Sequence, residues 1–261
     1  MADTPFRDLF SKQASTYASI RPDYPPSLFD FLASHVVNRQ LAWDAATGNG
    51  QAAVPLAAYF ERVIATDASK AQLAEARQHP RVEYRVGTAE ESGLPSACAD
   101  LITVAQALHW FDRPRFYDEV RRVARPEAVI AVWSYGDPSL DDKSLDPLLQ
   151  EFNFGKMGAY WPPGRGSVGK GYLEFEFPFD EIATPALEIE RLWTLTELAT
   201  YLRSWSARAR YVSMHNEDPV AEFETQLGKV WGDPAAKQRI SWPLVTRAAR
   251  VGRFAPADSR L

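Results

Sequence analysis

The chain has 261 residues, 46% of them hydrophobic, which is enough to bury a full core in one domain or in one domain with a cap. Its 29 Lys and Arg against 34 Asp and Glu give a net charge of -5, so no basic excess favours nucleic acid as a partner. Cys98 is the only cysteine, which excludes an internal disulfide and a cysteine-cluster metal site. We find no signal-peptide pattern and no apolar run of membrane-spanning length. These features predict a cytoplasmic protein with no metal site and no membrane or nucleic-acid partner.

The N-terminal part of the sequence predicts a helical arm. Apolar residues recur at roughly helical spacing between Phe6 and Tyr17, which predicts a helix over residues 6–18. The prolines within residues 21–26 keep that stretch extended, because each proline restrains the residue before it. A second helix is predicted from Ser27 onward.

The stretch 41–54 has the pattern of a short buried strand, a tight glycine turn and the start of a helix. Gly48 and Gly50 allow backbone conformations closed to other residues and leave room for a ligand against the main chain. The spacing Gly48-x-Gly50-x-x-Ala53, with an acidic residue at Asp67, also satisfies the dinucleotide-binding fingerprint. The glycines alone therefore leave the class of ligand open.

Asp44, at the end of the predicted strand, favours one of the two ligand classes. In a dinucleotide turn the first glycine follows the strand almost at once and brings a pyrophosphate onto the helix N-terminus. Here the residues from Asp44 to Thr47 intervene. A carboxylate beside a pyrophosphate would repel it, whereas a carboxylate can accept hydrogen bonds from an ammonium group. The turn therefore suits a cationic ligand better.

Four further strands with intervening helices predict a parallel α/β sheet. Asp67 and the loop 106–112 both follow strands of that sheet, so they are expected at the same edge as the glycine turn, where open α/β sheets bind ligands. The predicted strands span residues 62–66, 82–86, 100–105 and 128–133.

The composition changes after Ser134, where Gly, Pro, Asp and aromatic residues crowd residues 134–180 around one predicted helix at 145–154. A capping box at Thr194 and Glu197 predicts the start of a later helix. The remaining predicted elements are a strand at 187–193, a helix at 219–231 and a closing strand at 239–248, in which Pro243 favours a sheet edge or a bulge.

The pattern Asp44-x-x-x-Gly48-x-Gly50 resembles motif I of class I S-adenosylmethionine (SAM) dependent methyltransferases, usually D-x-G-x-G-x-G. Ala46 replaces the first glycine, so the turn must tolerate a methyl group there. The stretch 106–112 resembles that of methyltransferases acting on small molecules, including those similar to trans-aconitate methyltransferase. The resemblance is strongest over residues 15–135 and implies SAM as cofactor and S-adenosylhomocysteine as product. The cofactor-binding residues that it implies are Tyr17, Arg21, Asp44, Ala46, Gly48, Gly50, Asp67, Ala68, Ala89, Glu90 and Gln106.

The resemblance also implies the fold, a doubly wound, seven-stranded, mostly parallel α/β sheet of Rossmann-like type with an antiparallel last strand and a small cap. In such enzymes an N-terminal segment lies over the cofactor, although an arm that only packs on the core is equally compatible with the residues. The predicted divisions are an N-terminal helical arm or lid at 1–38, a SAM-binding core at 39–135, a substrate-side insertion at 136–185 and the C-terminal part of the core at 186–261.

We predict that the acceptor is a small molecule methylated on a carboxylate oxygen. Arginines can pair bidentately with carboxylates, although arginine is also a common surface residue. His109 is a candidate for catalysis, but an ionised carboxylate needs no base, so orientation of the substrate is favoured for it. A NAD-type Rossmann oxidoreductase, or a SAM-binding protein without activity, is the alternative, and the assembly is a monomer or a homodimer. The candidate substrate contacts are His109, Trp110, Tyr160, Trp161, Arg165, Arg203 and Trp205.

Overall fold

The computed structural model describes residues 22–252. The predicted helix at 6–18 and the candidate cofactor residues Tyr17 and Arg21 lie outside the described residues. Of this described part, no helix is long and apolar enough to cross a membrane.

Five parallel strands form the larger part of the sheet, because four apolar runs and one alternating segment, β3, are separated by helices or turns along the chain. They lie in the order β3-β2-β1-β4-β5, and each is parallel to its neighbour. Their bounds are β1 Leu41–Ala45, β2 Arg62–Asp67, β3 Val82–Val86, β4 Ala99–Ala105 and β5 Ala124–Tyr135.

Four later strands complete the sheet, and all of them pair in antiparallel fashion. They are β6 Ser139–Leu140, β7 Asp180–Ile182, β8 Leu187–Trp193 and β9 Gln238–Arg250. The long strand β9 pairs with β5 as well as with the other three, so it joins the parallel part of the sheet to its antiparallel edge.

The nine strand segments occupy seven positions in the sheet. Ser241 of β9 lies opposite Ser139 of β6 on one side and opposite Glu190 of β8 on the other. Ala249 of β9 likewise lies between Ile130 of β5 and a residue of β7. Strand β6 thus continues the β5 side of β9, while β7 and β8 together make the outer position. The predicted seven-stranded, mostly parallel sheet with antiparallel closing strands is confirmed.

Helices cover both faces of this sheet. The helix α7 starts at the predicted capping box, in which the Thr194 side chain accepts from the Glu197 backbone N–H and the Glu197 side chain accepts from the Thr194 backbone N–H. The helices are α1 Pro26–Ser34, α2 Ala53–Leu56, α3 Lys70–Ala74, α4 Arg113–Val123, α5 Asp146–Gln150, α6 Arg165–Gly169, α7 Leu195–Arg203, α8 Ser206–His215 and α9 Pro219–Trp231. A π-helix spans Glu151–Lys156, and short 3₁₀ turns span Leu108–Trp110 and Gly158–Tyr160.

Two hydrophobic clusters hold these layers together. On one face α1, α2, α5 and α7 to α9 pack on the sheet around buried Trp133, Trp205 and Trp242. On the other face α4 and the segment 168–179 pack around Trp43 and Phe116. The helices α7 to α9 therefore pack with the π-helix segment as one helical layer over one face of the sheet.

Three predicted elements differ from the structure. The sequence predicts that the helix after the glycine turn runs from Ala52 to Phe60, but it forms a single regular turn, α2, since Pro55 lacks an N–H to donate to the preceding turn. The helix predicted at 145–154 changes from α to π geometry at Glu151. The edge position expected for the closing strand is wrong, because β9 is flanked on both sides. A bulge at Pro243 is not seen in β9 either, because its pairing with β8 runs through Pro243 without a shift and the one extra residue lies between β5 and β6.

Candidate functional site

The carboxyl ends of the parallel strands bring the glycine turn together with two other predicted segments. Ala45, the last residue of β1, lies opposite Thr66 of β2 and Val104 of β4. Asp67 and Gln106 follow within two residues of those partners. The turn, Asp67 and the loop after β4 therefore start from neighbouring points on one sheet edge, as the sequence predicts.

The glycine turn has a left-handed backbone at three positions. The φ angles are 55° at Ala46, 57° at Gly48 and 84° at Gly50. An L-residue with a β-carbon pays about 1–2 kcal/mol in that region, so Ala46 is strained where the methyltransferase motif usually has glycine. A β-carbon at Gly50 would overlap the hydroxyl group of Tyr84, so glycine is required there by close packing as well as by its φ angle.

Asp44 is completely buried and holds the turn through side-chain hydrogen bonds. Its carboxylate accepts from the hydroxyl of Thr47 at 2.6 Å and from the hydroxyl of Thr103 at 2.7 Å. Burial raises the pKa of Asp44 to about 6, although the two hydroxyl groups act in the opposite direction. Each carboxylate oxygen is thus bonded to the protein, so Asp44 holds the turn and places a carboxylate behind it.

Asp67 links the end of β2 to the glycine turn. One carboxylate oxygen accepts from the backbone N–H of Gly48 at 2.8 Å, and the other accepts from the backbone N–H of Ser69 at 2.8 Å. These two bonds fix the orientation of the carboxylate at the sheet edge. Ala68, between the two, is half-buried at the same edge.

The other predicted cofactor residues lie after β3 and β4. Ala89 is buried, and the Glu90 carboxylate accepts from the backbone N–H of Asp112 at 2.9 Å, which ties the loop after β3 to the loop after β4. Gln106 has a left-handed backbone with φ 60°, and its N–H donates to the carbonyl of Trp133 at 2.9 Å. These residues border the same edge as the glycine turn.

His109 lies in an apolar environment beside Tyr172. Its Nδ1 is 3.2 Å from the Tyr172 hydroxyl oxygen, and the two rings are stacked at 5.8 Å. Burial, with the nearby positive charge of Arg165, lowers the pKa of His109 to about 4. His109 is therefore neutral at pH 7 and is a weak base.

Arg165 belongs to a half-buried polar cluster built by the insertion. It forms an ion pair with Asp137, which also accepts from the Asn153 side-chain amide at 2.9 Å. Its guanidinium lies 4.3 Å from the ring centre of Trp161, and the Trp161 indole N–H donates to the side-chain oxygen of Asn153 at 3.1 Å. Asp137 stands just beyond β5, so this cluster lies at the carboxyl edge of the sheet, next to His109.

The remaining aromatic candidates are placed differently from one another. Trp110 is half exposed and lies 4.5 Å from the His109 ring. Trp205 is buried in the helical layer with its ring 5.0 Å from Trp161, which puts it behind the cluster. The Tyr160 hydroxyl lies 2.8 Å from Nε2 of His215, a residue of α8.

Arg203 is held by two carboxylates of the helical layer. It donates to Asp218 at 3.2 Å and to Glu224 at 2.7 Å, while Arg208 donates to the same Asp218 at 3.0 Å. The structure therefore brings His109, Trp110, Trp161 and Arg165 together, but joins Arg203 to an ion-pair network between helices.

Sequence reasoning misses several residues that build this site. Tyr84, Thr103 and Tyr172 have no motif around them, and only the fold places them beside Gly50, Asp44 and His109. Asp137 has a usable signal, because an acid just past a parallel strand lies at the ligand-binding edge. Asn153 has none, since the π-helix that turns it inward is not predictable from its sequence.

Residues 22–252 contain no group of three or more His, Cys, Asp or Glu side chains placed to hold a metal ion. The chemistry available at this edge within the described residues is therefore that of fixed hydrogen-bonding groups, a neutral imidazole, and the Asp137 to Arg165 ion pair with its aromatic neighbours.

Comparisons with known proteins identify relatives of the chain. The family model described as a methyltransferase domain matches residues 43–132. A candidate methyltransferase of Dictyostelium discoideum is 33% identical over 231 residues, which is 87% of this chain and 88% of that protein. A solved structure of a candidate type II methyltransferase from Anaeromyxobacter dehalogenans is 42% identical, covers 90% of this chain and 100% of its own, and superposes with a TM-score of 0.86. An uncharacterised methyltransferase of Mycobacterium tuberculosis is 35% identical over 133 residues, 50% of this chain and 54% of that protein.

Proposed function

We propose, from the premise that the chain belongs to the class I SAM-dependent methyltransferase family, that it methylates a carboxylate oxygen of a small molecule. When bound, SAM supplies an electrophilic methyl group that is transferred by in-line displacement. The role of the protein is then to orient donor and acceptor and to exclude water. The product left by SAM would be S-adenosylhomocysteine.

The residues at the sheet edge fit this cofactor. The left-handed turn exposes main chain for close approach, and the oriented Asp67 carboxylate suits two ribose hydroxyls. The buried charge of Asp44 favours a cation nearby, which matches the ammonium and sulfonium groups of SAM. Ala89 and Glu90 would border the adenine, and Gln106 would lie near the methionine portion.

The observation that carries the proposed acceptor is the state of His109. With its pKa lowered to about 4, His109 is unprotonated at pH 7 but too weak a base to activate an alcohol or phenol efficiently. A carboxylate has a reference pKa of about 4 and is already ionised, so it needs no proton removed. The site therefore suits an acceptor that is nucleophilic as it arrives.

Arg165 supports the same conclusion from the side of recognition. Asp137 and Trp161 fix the position and plane of its guanidinium, while the side chain keeps about a quarter of its surface exposed, with 26% relative accessibility. A guanidinium has five N–H donors, more than its bond to Asp137 uses, and can bind a second carboxylate. Arg203 and Arg208 lie in the ion-pair network between helices, whereas Arg165 lies at the carboxyl edge of the sheet beside His109, so Arg165 is the arginine that we assign to the acceptor.

The alternatives differ in what they require. Membership of the methyltransferase family, with the antiparallel closing strands, removes the NAD-type oxidoreductase. A SAM-binding protein without activity has the same cofactor site, so only turnover separates it from an enzyme.

The acceptor is tested by incubating the protein and SAM with a panel of carboxylic acids, phenols and amines. Release of S-adenosylhomocysteine and the mass of the product are recorded together. We expect methyl esters from a subset of the acids, and Arg165→Gln should raise the KM for those acids about tenfold or more, since a charge-assisted hydrogen bond is lost.

Arg208→Gln is the matched control, because it removes an arginine that lies in the helical ion-pair network. It should leave the KM for the acid unchanged. Methylated phenols or amines with unreactive acids would overturn the assignment of the acceptor, and SAM binding without any turnover would favour the inactive binding protein.

A further inference from the structure

Three buried polar atoms that have no hydrogen-bond partner within residues 22–252 belong to residues whose backbones neighbour one another at the sheet. They are Nε2 of Gln106, Nε1 of Trp133 and Oγ1 of Thr246. The backbone N–H of Gln106 donates to the carbonyl of Trp133 at 2.9 Å, and Trp133 lies opposite Thr246 in the pairing of β5 with β9. We call these three residues the polar row.

Without a partner, the polar row costs stability. Trp133 is fully buried and Thr246 is 6% exposed, so solvent does not take the place of a partner. A buried polar group left unsatisfied costs about 1–3 kcal/mol, and each such group in a native protein needs an explanation. Three in neighbouring residues, one just after β4 and the others on β5 and β9, point to a common partner that lies outside residues 22–252.

The polar row lies near the carboxyl edge of the sheet, where a ligand of the active site would bind. Ala131 lies opposite Thr103, and Thr103 lies opposite Asp44, so these three positions form a line across the sheet. Side chains two residues apart on a strand share a face, which puts Trp133 on the face of Asp44 and one step nearer the carboxyl edge. The ring of Tyr24 meets that of Trp133 edge-on at 5.5 Å.

The hydrogen-bonding groups of the polar row determine which kind of ligand atom can bind there. An indole N–H only donates, the nitrogen of a side-chain amide only donates, and a hydroxyl can donate. A ligand atom shared by such groups must accept hydrogen bonds, so an oxygen fits and an ammonium group does not.

We propose that Gln106, Trp133 and Thr246 bind a carboxylate or carbonyl oxygen of a bound ligand. Two sources carry such an oxygen: the carboxylate at the methionine end of the cofactor, and the methyl acceptor. Assignment of the oxygen to the cofactor rests on the family of the chain, and assignment to the methyl acceptor rests on the proposed function.

Nuclear magnetic resonance of the indole N–H groups tests the row without relying on activity. The chain has eight tryptophans, and Trp133→Phe identifies the ¹H–¹⁵N signal of Trp133 by its loss. The wild-type spectrum is recorded with S-adenosylhomocysteine alone, then with S-adenosylhomocysteine plus benzoate as a generic carboxylate, and then with any compound that turned over in the panel.

We expect the Trp133 proton signal to move downfield as it gains an acceptor. A shift with S-adenosylhomocysteine alone assigns the oxygen to the cofactor, and a shift that appears only with the second compound assigns it to the acceptor. An unchanged Trp133 signal in all three samples overturns the proposal. A phenol that is turned over would also move the Trp133 signal. The experiment therefore tests the polar row even when the acceptor is not a carboxylate.

Thr246→Val supplies an independent test, since it removes the hydroxyl with little change of shape. An unpaired hydroxyl contributes no hydrogen bond to the fold, so the variant should be at least as thermally stable as the wild type. At the same time the KM for the acceptor, or the Kd for the cofactor, should rise about three- to tenfold. A variant with unchanged KM and Kd would contradict the proposal.

Trp242→Phe is the matched control for the indole. Trp242 is also fully buried, but its N–H donates to the Tyr201 hydroxyl at 3.0 Å. The Trp242 signal should stay in place in every sample, and its replacement should lower the melting temperature without changing the KM or the Kd. Movement of both indole signals would show a general change of the protein and would count against a site at Trp133.

Discussion

Asp44 should make the free energy of unfolding fall as the pH rises through the weakly acidic range. Its pKa is raised by burial to about 6 in the folded protein, against an ordinary value of 3.8. Between those two values the folded state holds a proton that the unfolded state has released, so the stabilisation is complete below about pH 4 and is lost as the pH rises through about 6. A difference of about two pKa units, at about 1.4 kcal/mol each, amounts to about 3 kcal/mol.

The assay is urea denaturation of the wild type and of Asp44→Asn between about pH 4 and pH 7. Taking the difference between the two proteins cancels the titration of other groups, because only the wild type carries this carboxyl group. That difference should fall by about 3 kcal/mol across the range. Thr103→Val, which removes a hydroxyl that favours the ionised form, should move the fall to higher pH. A difference that does not depend on pH would refute the burial argument.

Three further predictions concern the cofactor turn and the acceptor site. Asp67→Ala should weaken SAM binding by about 1–3 kcal/mol in calorimetry, because charge-assisted hydrogen bonds to the ribose are lost. An unchanged Kd would contradict ribose binding by Asp67. Ala46→Gly should raise the free energy of unfolding by roughly 0.5–1 kcal/mol, since the relief of left-handed strain exceeds the added entropy of the unfolded chain, and a less stable variant in urea denaturation would contradict it. His109→Asn should keep turnover of an acid within about tenfold, whereas a loss of roughly 100-fold at unchanged KM would identify His109 as a base.

The parallel half of the fold is readable from the sequence, because its signals are local. Four of the five strands contain apolar runs and β3 alternates apolar with charged residues, and the glycine turn follows the first strand. The geometry of such sheets places residues after different strands at one edge, so the amino-acid sequence alone is enough to group Asp44, Asp67 and Gln106.

The acceptor side cannot be read in the same way, because its geometry depends on contacts far apart in the sequence. The sequence singles out Arg165 as a cation in an aromatic stretch, but its fixed position depends on Asp137, 28 residues earlier, and on Trp161 beneath it. Arg203 looks equivalent in the sequence, yet the fold pairs it with two carboxylates. Whether an arginine is available to a ligand is decided by such partners and not by local pattern.

The boundaries of the predicted divisions stay predictions, although the element bounds give them physical content. The insertion at 136–185 includes the π-helix and Arg165, which lie with the active-site edge. The helices α7 to α9, assigned by sequence to the C-terminal part of the core, pack with the π-helix segment in the same helical layer. The assembly, as a monomer or a homodimer, and the location of the protein likewise stay predictions.

A labelled methyl group followed from SAM into the product shows directly whether a carboxylate oxygen is methylated. The protein is incubated with SAM carrying a trideuterated methyl group and with the acid that gives the fastest release of S-adenosylhomocysteine. We expect a trideuterated methyl ester. Hydrolysis of that ester by hydroxide should return the original acid and release the whole label as methanol. A label that resists hydrolysis and stays on nitrogen, carbon or a phenolic oxygen would contradict methylation of a carboxylate oxygen.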